Sequence, residues 1–188
     1  MYSEYIEILR SRLKPYRFEH SLNVADSAAD LAEKYGADKD RAYLAGLLHD
    51  ICKNDTEENQ LQMFDEFGII LDSVQKSQPK LWHAISGAAY IKNVLNICDD
   101  EIISAIRYHT TAKADMTLLE KILYIADYIS ADRDYNGVDE MREAAYISIE
   151  KAMEVALQFT ITDLSERFKP IHKDTLEAYN QICLIRKD

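Results

Sequence analysis

The stretch Ala45-Gly46-Leu47-Leu48-His49-Asp50-Ile51-Cys52-Lys53 closes an apolar helical run with two ionisable side chains and, three residues later, a lysine. A carboxylate in such a setting is costly unless it is paired or binds a cation, so Asp50 needs a partner. Neighbouring helix positions point about 100° apart and do not face each other. One ion therefore reaches both His49 and Asp50 only from the helix edge or its last turn. Taken alone, the pair reads more simply as a C-terminal cap (His49) and a cap of the next segment (Asp50). Its company changes that reading.

Outward from this run the chain is patterned for helices. Asp38 caps a helix through Asp50, with Tyr43, Leu44, Leu47 and Leu48 on its apolar side. Upstream, Ser3 to Leu13 carries Tyr5, Leu9 and Leu13 on one stripe and stops near Pro15. The segment Phe18 to Tyr35 places His20, Val24, Ser27 and Leu31 on one face before Gly36 ends it. Downstream, Thr56 with Asn59 caps a helix ending before Gly68. Residues Ile69 to Leu81 are irregular, and Pro79 argues against helix there. A helix runs from near His83 to about Asn96. Asp99 or Asp100 caps Glu101 to His109, and Thr117 caps Leu118 to Ser130, where Leu119, Leu123 and Asp127 line up. A polar loop, Ala131 to Val138, precedes long helical patterns over Asp139 to Phe159 and Asp174 to Ile185. Only five Gly and three Pro occur in 188 residues, too few for many strand-to-strand turns, so the expected class is all-α, one domain with C-terminal helices packed on it.

The 22 basic and 33 acidic residues give a net charge of −11, which disfavours a grip on a nucleic-acid polymer. A phosphorylated small molecule is repelled at long range too, but bound metal ions reverse the local field. Cys52, Cys98 and Cys183 lack CxxC spacing and read as reduced thiols. The first residues resemble no signal peptide, and no apolar run is long enough to span a bilayer, so a soluble cytoplasmic protein is expected. The apolar stripes of the terminal helices suit a core or a homodimer seam equally.

His20, His49, His83 and His109 lie in or beside apolar helical patterns, and Asp127 falls on an inward stripe. Each alone has a plain structural reading; Asp127, for example, could pair with Arg107 or Arg133. Imidazoles and carboxylates on successive helices are, together, what a metal core in a helical domain requires. The order His20, His49-Asp50, Asp127 resembles the HD-domain phosphohydrolases over most of the chain, and the added His83 and His109 resemble the subset with two metals. Three stretches come closer: Arg17-Phe18-Glu19-His20-Ser21-Leu22-Asn23-Val24-Ala25, Tyr108-His109-Thr110-Thr111-Ala112, and Tyr124-Ile125-Ala126-Asp127-Tyr128-Ile129 followed by Arg133. In this order they resemble the YqeK family, hydrolases that cleave diadenosine tetraphosphate symmetrically into two ADP. Ser130-Ala131 stands where that family usually has Glu-Pro, and Ala112 where it usually has Gly.

The resemblance implies an HD-domain helical bundle in which His20, His49, Asp50 and Asp127 hold one ion and Asp50, His83 and His109 a second. It favours iron; the mixed imidazole and carboxylate set also suits manganese or another divalent ion. Two ions about 4 Å apart activate a hydroxide for in-line attack on phosphorus and stabilise the attacking and leaving oxygens. Lys53 and Arg133 are the expected charge contacts to the phosphoryl group, with Asp50 central, and Thr110 an expected phosphate donor. Tyr124, Tyr128 and Tyr135 lie near Asp127; one could stack on a base, although the first two fit a core better. His172 falls outside the motifs. Two other readings stand beside this one: the same chemistry on a mononucleotide or guanosine alarmone, and a non-catalytic metal- or nucleotide-binding module.

Overall fold

The structure, a computed structural model, describes residues 2–185. Among these residues there are eleven α-helices and no strand: α1 Ser3–Arg12, α2 Pro15–Tyr35, α3 Lys39–Leu48, α4 Glu57–Glu66, α5 Ser73–Ser77, α6 Trp82–Asn93, α7 Asp100–Tyr108, α8 Leu118–Ile129, α9 Val138–Ile147, α10 Ile149–Glu166 and α11 Lys173–Ile185. The all-α expectation holds. None of these helices is long and apolar enough to cross a membrane.

The expected caps form. Asp38 accepts from the Arg41 N–H at 3.0 Å, Thr56 from Asn59 at 3.2 Å, and Asp99 from Glu101 and Ile102 at 3.1 and 3.2 Å. Thr117 and Glu120 make a reciprocal capping box at the start of α8. Four differences have local causes. Helix α2 begins at Pro15, three residues before Phe18, because proline suits the first helical position and Lys14 before it is extended. Helix α3 stops at Leu48, so His49 caps it and Asp50 lies in the following turn. Within Ile69 to Leu81, the stretch expected to be irregular, Asp72 and Gln75 form a capping box that starts α5, and Pro79 opens a short 3-10 turn, Pro79–Leu81. The pattern from Asp139 to Phe159 is two helices broken at Ser148, which is extended (φ −159°, ψ 158°) and caps α10 by accepting from Lys151 at 3.0 Å. Apolar positions continue through the break, so periodicity does not reveal it.

Helices α2, α3, α7 and α8 pack together, with α6 on α7 and α10 on α8 and α9. Leu9, Val24, Leu47, Leu48, Ile51, Ile91, Ile106, Ile122, Leu123 and Leu157 lie in one continuous buried core. Gly46 governs the closest approach: a Cβ there would stand 2.7 Å from the Ala25 Cα and 2.9 Å from the Val24 carbonyl oxygen. Arg41 grips Asp99 with two bonds of 2.7 and 2.6 Å and joins the start of α3 to that of α7. After α7, Ala112 turns the chain with a φ of 56°, the left-handed region where glycine is favoured. This is the position at which the sequence departs from the glycine of the family it resembles.

Candidate metal centre

His49 and His109 are presented in the same way. Each caps a helix, α3 or α7, and each Nδ1 lies 2.7 Å from a carbonyl oxygen three residues back, Gly46 or Ile106. The last carbonyls of a helix lack intrahelical donors, so the ring N–H satisfies one of them. Because a carbonyl only accepts, each Nδ1 carries a proton, and Nε2 is the nitrogen left to face the interior of the site. His20 projects from the second turn of α2, with Nδ1 2.8 Å from Asp132 Oδ2. His83 comes from the first turn of α6. The rings stand close: His20 to His49 5.3 Å between centroids, His49 to His109 5.0 Å, and His83 to His109 5.1 Å.

Asp50 lies among them. Its Oδ1 is 3.1 Å from His83 Nε2 and 3.6 Å from His109 Nε2, while Oδ2 is 3.5 Å from His49 Nε2. Asp127 Oδ1 is 3.0 Å from His20 Nε2 and 3.9 Å from His49 Nε2. All six expected ligands thus converge. Three overlapping triads have donor atoms within 4.8 Å of one another: His20, His49 and Asp50; His49, His109 and Asp127; and Asp50, His83 and His109.

The charge pattern calls for a cation. His49 Nε2 and Asp50 Oδ1 are buried without a hydrogen-bond partner, an expensive state for polar atoms unless another ligand completes them. Burial lowers the pKa of His49, and that of His83 to about 4, so both rings are neutral donors at ordinary pH. Burial alone would raise the pKa of Asp50, but His49, His109 and His83 outweigh it and hold the carboxyl well below its usual range. Asp127 is lowered likewise, burial being opposed by His20 and Arg133. Neutral imidazoles and ionised carboxylates in one apolar setting fit a divalent transition metal.

Three cations surround this cluster. Lys53 Nζ lies 3.0 Å from His83 Nε2 and 3.5 Å from Asp50 Oδ1, with a third of its side chain exposed (32%). Arg133 pairs with Asp127 and also donates to the Asp127 carbonyl at 2.6 Å. Arg133 is therefore the arginine that meets Asp127; Arg107 instead stacks over Tyr108, 5.1 Å from the ring centroid. Arg17 Nη1 holds Asp50 Oδ2 at 2.8 Å. Sequence reasoning missed Arg17 and Asp132. Pro15 is the signal for the first: it starts α2 early enough to put Arg17 in the same helix as His20, three positions before it. Nothing local signals the second.

Thr110 follows His109, with its Oγ1 buried and without a hydrogen bond. Tyr124 is fully buried, the Tyr128 hydroxyl bonds Thr160 at 2.6 Å, and the Tyr135 hydroxyl donates to the Tyr128 carbonyl at 3.1 Å. These contacts give the first two tyrosines structural partners. His172 is elsewhere, buried between Asp72 at 3.0 Å and Gln75 at 3.2 Å.

The model of the HD domain family matches residues 17–132, which span all six expected ligands. A protein of Halalkalibacterium halodurans named "Bis(5'-nucleosyl)-tetraphosphatase, symmetrical" is 35% identical over 182 residues, covering 97% of both chains. A protein of the same name from Bacillus subtilis is 34% identical, covering 94% of this chain and 95% of the relative. The crystal structure of a predicted HD superfamily hydrolase involved in NAD metabolism from Clostridium acetobutylicum superposes with a TM-score of 0.95 at 35% identity, covering 99% of this chain and 98% of that one. With its histidines and aspartates converging inside the matched segment, and with relatives alike over almost their whole length, this chain belongs to the HD domain family.

Proposed function

We propose that this protein is a metal-dependent phosphohydrolase that cleaves dinucleoside tetraphosphates symmetrically, diadenosine tetraphosphate giving two ADP. The observation that carries the reading is the cluster of four buried imidazoles with buried Asp50 and partly buried Asp127, in which His49 Nε2 and Asp50 Oδ1 lack hydrogen bonds. The names of the similar proteins supply the substrate class.

His20, His49, Asp50 and Asp127 would hold one ion and Asp50, His83 and His109 the other, with Asp50 shared because a carboxylate offers two oxygens. Iron is the ion we favour, and manganese suits the same donors. When bound, such ions supply Lewis acidity, lowering the pKa of water and neutralising developing charge on phosphoryl oxygens. The protein's own groups do the rest. The Lys53 ammonium and Arg133 guanidinium, both partly exposed beside the cluster, bind phosphate oxygens and oppose the repulsion expected from an acidic chain. Arg17, paired with Asp50 Oδ2 at 2.8 Å, fixes the plane of that carboxylate. Thr110 Oγ1 donates to a further oxygen. Hydrolysis breaks the bridge between the second and third phosphates; water provides the hydroxyl for one ADP and a proton for the other. The free thiols of Cys52, Cys98 and Cys183 accord with a cytoplasmic location. The net charge of −11 favours a small nucleotide over a nucleic-acid polymer.

Incubation of the metal-loaded protein with diadenosine tetraphosphate, followed by separation of the nucleotides, tests the proposal. ADP as sole product is expected. ATP with AMP would reject symmetrical cleavage, and tight metal binding without turnover on any phosphoanhydride would leave only a binding module.

A further inference from the structure

We propose that Asp132 is a positioning residue for His20, fixing it as a ligand of one of the two ions; the inference rests on the two-ion reading above. His49 and His109 stand at helix ends, where an unused main-chain carbonyl accepts the Nδ1 proton. His20 has no such carbonyl, because it lies within α2, where the main-chain oxygens serve the helix itself. Its Nδ1 must find an acceptor from another part of the chain, and Asp132 Oδ2 supplies one at 2.8 Å. Among the described residues, His20 is the one site histidine whose Nδ1 is met by a carboxylate.

Such a carboxylate does two things. It selects the tautomer with Nε2 bare, and it raises the electron density at Nε2, which strengthens the bond to a cation. The loop carrying Asp132 is held for the task. Arg133 N–H donates to the Ser130 carbonyl at 2.9 Å, and Arg142 donates to the carbonyls of Ile129, Ser130 and Arg133 at 3.2, 3.2 and 3.0 Å. The neighbouring Arg133 pairs with Asp127, whose Oδ1 lies 3.0 Å from the other nitrogen of His20. One short segment after α8 therefore orients two ligands of the same ion, one on α2 and one on α8. About a third of the Asp132 side chain is exposed (34%), so its replacement opens no large cavity.

Manganese(II) binding to the full-length, metal-stripped protein tests this, with free ion counted by its spin-resonance signal. Asp132→Ala is compared in two backgrounds. In His83→Ala, where binding depends on the subsite that includes His20, we expect affinity to fall about 10- to 100-fold. In His20→Ala, where the residue Asp132 acts through is gone, the same substitution changes affinity less than about twofold, since non-interacting sites add. Equal losses in both backgrounds would make Asp132 a general structural residue, and no loss in the first would remove it from the site. Urea unfolding checks that each variant folds. Should Asp132→Ala not fold, Asp132→Asn in the same backgrounds carries the test, with a several-fold loss expected in the first only. A parent protein that binds no manganese overturns the metal reading itself, a result distinct from either.

Discussion

Asp50 is the residue on which the site turns. Arg17 occupies one of its oxygens at 2.8 Å, and the other faces His83 at 3.1 Å and His109 at 3.6 Å. Removing it takes away the ligand we propose the two ions share and leaves Arg17 without its anion. Asp50→Ala is expected to bring metal content and turnover to background together, measured by elemental analysis beside the diadenosine tetraphosphate assay. Metal retained at two ions per chain would contradict the sharing. Lys53 is a different case, because it lies beside the ligands and is partly exposed. Lys53→Ala should keep its metal and lose about 10²-fold in kcat, the scale of one lost contact to transition-state charge. Unchanged kcat would remove Lys53 from the reaction.

At the scale of elements, ligand placement depends on how closely α2 and α3 approach. Gly46 makes that approach possible, and its carbonyl also receives the His49 N–H at 2.7 Å. A methyl at Gly46 would meet the Ala25 backbone at 2.7 Å, and neither helix backbone can yield there without moving His20 or His49. Gly46→Ala is therefore expected to destabilise the protein by about 2 kcal/mol, the range of overpacking, although alanine is the better helix former. It should lower metal affinity as well, a joint effect that urea unfolding and metal titration would register. A stabilised Gly46→Ala protein would show that the two helices are less closely fitted than the structure has them.

For the whole molecule, the buried histidines link stability to pH. Burial holds the His83 pKa to about 4, whereas the unfolded ring titrates near 6.5. Between these values the unfolded chain binds a proton that the folded chain does not, so acidification favours unfolding. Metal-free protein should keep its full stability above about pH 6.5 and lose on the order of 3 kcal/mol from His83 alone by about pH 4. His49 is shifted in the same direction and adds to the loss. Urea midpoints of the metal-free protein at pH 7 and pH 5 check this; equal midpoints would mean that the rings are not held neutral. Bound metal should raise the midpoint at pH 7, since only the folded chain assembles the ligands.

The helical class, most of the caps and the six side chains that converge in the candidate metal centre were legible in the residues alone. Helix periodicity and capping are read within a few residues, and imidazole and carboxylate side chains on apolar stripes declare their chemistry wherever they end up. Tertiary structure decided the pairings: Arg17 with Asp50 across 33 positions, Asp132 with His20 across 112, and Arg133 instead of Arg107 on Asp127. It also decided the break at Ser148, where the apolar pattern runs on but the chain must bend to lay α10 against both α8 and α9. Such contacts depend on how whole helices are placed in space. No window of neighbouring residues contains that information, because the distances are set by packing, down to the missing side chain of Gly46.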